Sequence, residues 1–139
     1  TYKPTTVITY DDVVGLYGHP DHVVIGKLTK EVVKEEIATG NSSIKRLYMV
    51  TLPKPMIDLA LKLSPTFQER YPSEGGLPQS TIAFPMASEA KERKQVILAH
   101  KTQWEVVGDV QPYHDKMPSW VYYRIFDREY YHLVDIGNN

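Results

Sequence analysis

Hydrophobic and polar positions along this chain alternate between strand-like runs and helix-like spacing. The run Thr5-Thr6-Val7-Ile8-Thr9-Tyr10 is β-branched and apolar on both faces. That pattern predicts a strand buried on both sides, as in a parallel sheet. Residues 11–18 then read as a loop at the strand's C-terminal end. Pro20 suits the first turn of a helix, where its missing N–H costs nothing. The helix is expected to run to about Thr39, with Ile25, Leu28, Val32 and Ile37 on one face and Lys30, Glu31, Lys34 and Glu35 toward solvent. Gly40-Asn41 supplies the stop. Arg46 to Leu52 reads as a second strand, which makes the opening a β–loop–α–β unit and implies a right-handed crossover with a parallel pair.

The rest of the chain is less regular. Pro53 and Pro55 open a short helix through Met56, Leu59, Leu61 and Leu63, and residues 65–79 read as a polar loop around Gly75-Gly76. Thr81 to Phe84 is a short strand candidate. Ser88 to about Gln103 reads as a second long helix, with Ala90, Ile97 and Trp104 at sevenfold spacing. Residues 105–118 are expected to be irregular. Trp120 to Phe126 and Tyr130 to Val134 read as a final strand pair, or as a strand plus tail, because aromatic residues favour strands. No internal repeat or interdomain linker is evident, so residues 1–139 are taken as a single domain.

Composition changes this picture little. The 139 residues are 42% hydrophobic and 24% charged, with a formal net charge of -1. These are ordinary values for a globular protein large enough to bury a core. Near-zero net charge encodes no general attraction to nucleic acid, and no basic stripe accompanies the aromatics, so a nucleic-acid partner is not expected. The absence of cysteine removes disulfides, thiolate zinc sites and a cysteine nucleophile. No apolar run is long enough to span a bilayer, and a cytoplasmic setting is the default.

Candidate chemistry concentrates in Tyr17-Gly18-His19-Pro20-Asp21-His22 and in Asp11-Asp12 before it. In open α/β sheets ligands bind outside the carboxyl ends of strands, where this loop is expected. Residues three apart share a helix face, so His19 and His22 can address one site. A catalytic zinc takes three protein ligands and leaves one position for water. The segment offers one ligand and an acid rather than a complete set. Equally, His-x-x-His can be a helix cap with a surface imidazole, and Asp21 in the first turn complements the helix dipole. Elsewhere, His100 reads as a satisfied, partly buried histidine, His114 and His132 as exposed, and Asp11 and Asp12 as loop caps or site residues.

The hexapeptide, following Val7-Ile8-Thr9-Tyr10-Asp11, resembles the second signature of the PIG-L/LmbE-like zinc-dependent de-N-acetylases. Ile97-Leu98-Ala99-His100-Lys101-Thr102-Gln103 is similar to that family's Ala-His-x-Thr-Gln segment. Glu129-Tyr130-Tyr131-His132-Leu133 is similar to its acidic–x–aromatic–x–Leu ending. The resemblance implies a partial Rossmann-like α/β fold, with a mostly parallel sheet and flanking helices. It implies hydrolysis of an N-acetyl group on an N-acetylglucosamine-type sugar or glycoconjugate. It makes His22 the ligand of Zn2+ or another divalent metal, and His19 the acid that stabilises the tetrahedral intermediate. Asp21 would orient His19, and Tyr17 would line the site and contact substrate; Asp12, from its place in the loop after the strand, is a further substrate-binding candidate. The family's other signature, Ala-His-Pro-Asp-Asp, carries its remaining ligands and general base and does not occur here. The chain thus resembles the C-terminal portion of such a domain. It is expected to form homo-oligomers or to associate with the missing N-terminal half. The alternative is a non-catalytic binding or assembly module that retains half of an ancestral site.

Overall fold

The computed structural model describes residues 2–137. The described residues form mixed α/β structure, with four strands in the order β1-β2-β4-β3: β1 Thr6–Tyr10, β2 Arg46–Thr51, β3 Ile82–Pro85 and β4 Arg128–Val134. The first two strands pair in parallel, with Thr6 opposite Arg46 and Tyr10 opposite Val50. β4 runs antiparallel to β2, with Leu47 opposite Val134 and Thr51 opposite Tyr130. The sheet is therefore mixed, where a mostly parallel one was expected.

The chain divides into two compact units. The first comprises Thr1–Pro53, Pro72–Ile82 and Tyr130–Asn139, and the second Lys54–Tyr71 and Ala83–Glu129. In the first, β1 leads through a short helical turn, α1 (Gly15–Gly18), into the long helix α2 (Pro20–Ala38) and then β2. α2 starts where Pro20 occupies its first turn and Asp21 supplies a negative charge beside the helix N-terminus. Beyond Thr39 the chain leaves the helix through Gly40 at φ 75°.

The face that α2 buries differs from the one the apolar spacing indicates. Gly26 and Val33 are its buried residues, and Ile37 packs partly against the core of Val33, Leu47, Met49, Val134 and Ile136. Ile25, Leu28 and Val32 are about half exposed, at 48%, 50% and 55%. The reason is a close approach. A Cβ on Gly26 would lie 2.5 Å from the Tyr10 carbonyl oxygen and 2.8 Å from that of Asp11. A residue without a side chain lets helix and strand backbones meet there, and this contact sets the rotation of the helix. β1 likewise departs from expectation. It is the end strand of the sheet, and Ile8 at its centre is 56% exposed rather than buried on both sides.

The second unit holds α3 (Lys54–Leu63), α4 (Pro65–Arg70), α5 (Ala90–Ala99), α6 (Trp104–Val110) and α7 (Ser119–Ile125). Helix α4 lies within the stretch read as a polar loop. It is built on Ser64, whose hydroxyl accepts the Phe67 N–H, and on Pro65 in its first turn. The long helix expected from Ser88 breaks at His100, whose φ/ψ of -84°/56° is not helical, and α6 resumes within the segment read as irregular. Trp104, placed on the core spacing, is 40% exposed.

Trp120 to Ile125 forms helix rather than strand, with Phe126 as its C-cap. At helical spacing Tyr122, Tyr123 and Phe126 pack with Ala90, Ile97 and Met117, so tertiary packing overrides the aromatic preference for strands. Histidine environments also depart from expectation. His114 is buried at 4% exposure, because its ring lies edge-on to Trp104 with centroids 5.3 Å apart and its Nδ1 meets the Gln111 carbonyl at 2.9 Å. His100 is exposed, and His132 is half-buried against the Gln79 carbonyl. Among the described residues, no helix is long and apolar enough to cross a membrane.

Candidate functional site

The loop between β1 and α2 is organised around one carboxylate. Asp11 is fully buried. Its Oδ1 accepts the backbone N–H groups of Val13 at 3.1 Å and Val14 at 2.6 Å, and its Oδ2 accepts that of Leu16 at 2.9 Å. This is the loop-capping role open to a carboxylate after a strand. The turn it holds is strained at Leu16, whose φ of 72° and ψ of -51° lie in the rare γ-turn region, while Gly15 takes φ 62° without a Cβ penalty. Gly15 cannot readily be replaced, since a Cβ there would lie 2.8 Å from both His22 Cβ and Val23 N.

This turn and the first turn of α2 bring three of the sequence-derived candidates together. Tyr17 is buried, with its ring edge-on to His22 at 5.1 Å and to His19 at 5.9 Å between centroids. The two imidazoles lie 4.8 Å apart. Tyr10, which the sequence reading did not single out, stacks on His22 with centroids 3.7 Å apart and planes 7° from parallel. Its position at the C-terminal end of β1 was the available signal.

The hydrogen bonds of the two rings assign them opposite roles. His22 Nδ1 lies 3.1 Å from the Gly15 carbonyl oxygen. A carbonyl only accepts, so His22 carries its proton on Nδ1 and has its lone pair on Nε2. Metal-binding histidines are held this way, with the non-ligating nitrogen donating to a carbonyl or carboxylate. His19 is the reverse. The backbone N–H of Asp21 donates to His19 Nδ1 at 3.2 Å, so the proton of the neutral ring sits on Nε2, available to donate. Burial lowers the His22 pKa, as does the neighbouring His19, while the Gly15 bond and the charges of Asp21 and Asp11 act in the opposite sense. A ring biased toward the neutral form is suited to ligation.

The remaining candidates stand differently. Asp21 is exposed, and the bond shown between it and His19 runs through its backbone N–H rather than its carboxylate. This makes His19 the N-cap of α2, so the cap reading and the chemical reading describe the same residue. Asp12 is ion-paired with Lys30 at 2.6 Å. Burial pushes its carboxyl up, but the Lys30 hydrogen bond and charge outweigh this and hold it below the usual carboxylate range. Among the described residues no group of three or more His, Cys, Asp or Glu side chains is placed to hold a metal. The loop therefore presents one ligand-ready nitrogen and one donor, in an aromatic setting. No family model, curated protein or solved structure matches this chain.

Proposed function

We propose that this chain carries one part of a zinc-dependent amidohydrolase site, acting on an N-acetyl group of an N-acetylglucosamine-type sugar or glycoconjugate. The reading rests on one observation: two adjacent imidazoles have opposite partners at Nδ1, a carbonyl for His22 and a backbone N–H for His19, which leaves a lone pair on His22 Nε2 and a proton on His19 Nε2 when the rings are neutral. That is the division of labour between a metal ligand and a hydrogen-bond donor to an oxyanion. Zinc held in part by His22 would supply the Lewis acid that activates water for attack on the acetyl carbonyl. His19 Nε2–H would donate a hydrogen bond to the developing oxyanion, the proton that the general base takes from the attacking water would pass to the departing amine, and Tyr17 shapes the wall beside both rings. The other two ligands and the general base are assigned to a segment outside residues 2–137, in a Rossmann-like parent domain and a cytoplasmic setting. The segment Ala-His-Pro-Asp-Asp, or an equivalent, is its expected form.

The test is zinc titration followed by nitrogen NMR of the imidazoles, with acetate release measured on N-acetylglucosamine derivatives. Zinc should shift His22 Nε2 first, and a polypeptide carrying His-Pro-Asp-Asp should tighten binding and permit turnover. His22→Ala should abolish both, and His19→Ala should lower turnover by about 10²–10³-fold, the usual worth of one oxyanion donor. Zinc that leaves His22 untouched at saturation rejects the ligand assignment.

A second reading, a non-catalytic binding or assembly module, is favoured by the end position of β1 and by the exposure of Ile8 (56%) and Leu133 (45%). In the sheet register both residues lie opposite Tyr48, so they share one face. An open strand edge with apolar neighbours is a template for pairing with another chain. Release of acetate by the 139-residue protein alone would sink this reading.

A further inference from the structure

We infer that Asp11 is a positioning residue for His22, acting through a single peptide unit. The Leu16 N–H and the Gly15 C=O belong to the same peptide group. Planarity and the trans arrangement make these two groups point in opposite directions. Asp11 Oδ2 accepts the N–H at 2.9 Å, and His22 Nδ1 donates to the C=O at 3.1 Å. The path is therefore carboxylate, peptide N–H, peptide C=O, imidazole N–H. It places a buried negative charge behind a histidine, as a direct carboxylate–histidine pair does, with one amide interposed.

Three features make the arrangement more than a loop cap. The Asp11 carboxylate is fully buried, and its other oxygen fixes the Val13 and Val14 N–H groups on the strand side of the same turn. The peptide joins Gly15 to Leu16, whose φ of 72° and ψ of -51° persist only when surrounding bonds over-determine them. A charged acceptor on the N–H also polarises the amide and makes its carbonyl a stronger acceptor for His22. Asp11 thereby sets the direction of the Gly15 carbonyl, and the carbonyl sets which ring nitrogen His22 presents.

The inference rests on the proposed reading only where it treats His22 as a ligand. Nitrogen NMR of the metal-free protein, above the pH at which histidine titrates, reads the relay directly. The wild-type Leu16 amide should show scalar coupling to the Asp11 carboxyl carbon across the hydrogen bond, and His22 should be protonated on Nδ1. In Asp11→Asn one acceptor oxygen becomes an NH2 donor, and the proton of His22 should redistribute from Nδ1 toward Nε2. Zinc affinity at His22 should fall by about 10–100-fold, the usual cost of losing a group that orients a ligand. Val14→Ala, which empties a buried loop side chain and leaves the relay atoms in place, should destabilise the fold without moving the tautomer.

An unchanged His22 tautomer in Asp11→Asn overturns the inference, as does an equal change in Val14→Ala. Should Asp11→Asn fail to fold, the wild-type coupling decides, and its absence overturns the inference. A wild-type protein whose tautomer depends on Asp11 but whose His22 ignores zinc keeps the relay and rejects the amidohydrolase reading. Zinc bound at His22 with a tautomer indifferent to Asp11 does the reverse.

Discussion

Replacing Gly26 with alanine tests the contact that orients α2. In an unconstrained helix this substitution stabilises by about 1 kcal/mol, because alanine loses less backbone entropy. Here the new methyl meets the Tyr10 and Asp11 carbonyl oxygens at 2.5 Å and 2.8 Å, and both are backbone atoms that cannot swing aside. Restoring an ordinary contact requires the helix to retreat by roughly 0.9 Å. Overpacking of this kind costs about 1–3 kcal/mol, and two backbone contacts place it at the upper end. Set against the helix-propensity gain, the net loss is about 2 kcal/mol, or roughly 1 M in urea midpoint for a domain of this size.

The assay must report on the correct unit. Trp104 and Trp120 both lie in the second compact unit, so tryptophan fluorescence does not observe β1 or α2. Far-ultraviolet circular dichroism with amide hydrogen exchange in β1 and β2 does. Gly108→Ala is the control: it lies in α6 with nothing within 4 Å of the added methyl and should stabilise by about 0.5–1 kcal/mol. His22 lies one turn before Gly26, so Gly26→Ala should also lengthen the bond from His22 to Gly15. A Gly26→Ala protein as stable as wild type, with unchanged exchange in β1, refutes the close-packing argument.

The remaining predictions concern the facing of α2 and two titrating groups. Val33→Ala removes a side chain 3% exposed and should cost about 2 kcal/mol, whereas Leu28→Ala at 50% exposure should stay within about 0.5 kcal/mol of wild type. Equal losses in urea unfolding would return the core face to Leu28. The depressed Asp12 pKa means that its pair with Lys30 stabilises above the unfolded value of about 3.9 and is lost as pH falls through the folded one. Asp12→Asn should therefore lower stability by less than about 1 kcal/mol at pH 7 and converge on wild type in acid. A constant gap down to pH 2 would contradict this. Burial raises the Tyr122 pKa, so its contribution is complete below about pH 10 and is lost as pH rises toward the folded value. Tyr122→Phe should flatten the alkaline fall in stability, and an unaltered profile would place the titration elsewhere.

Much of the first unit was legible from local pattern. The β-branched run of β1, Pro20 at the helix start, Gly40 at its end and the apolar run of β2 each act over a few neighbouring residues, and each element appears where its residues indicate. The parallel pairing of β1 and β2 follows from the helix between them. The clustering of Tyr17, His19 and His22 was legible for the same reason, since one turn and one helix start bring them together.

What local pattern could not carry depends on groups distant in sequence or on main-chain atoms that have no letter in it. The β-forming residues of 120–125 become helix because Ala90, Ile97 and Met117 offer a surface at helical spacing. The apolar stripe Ile25, Leu28 and Val32 faces away from the core because Gly26 alone permits contact with the carbonyls of Tyr10 and Asp11. In the site, sequence determined that two imidazoles lie close together. The tertiary structure decided which nitrogen each presents, because that choice is made by the Gly15 carbonyl and the Asp21 N–H, whose directions exist only once the turn is folded.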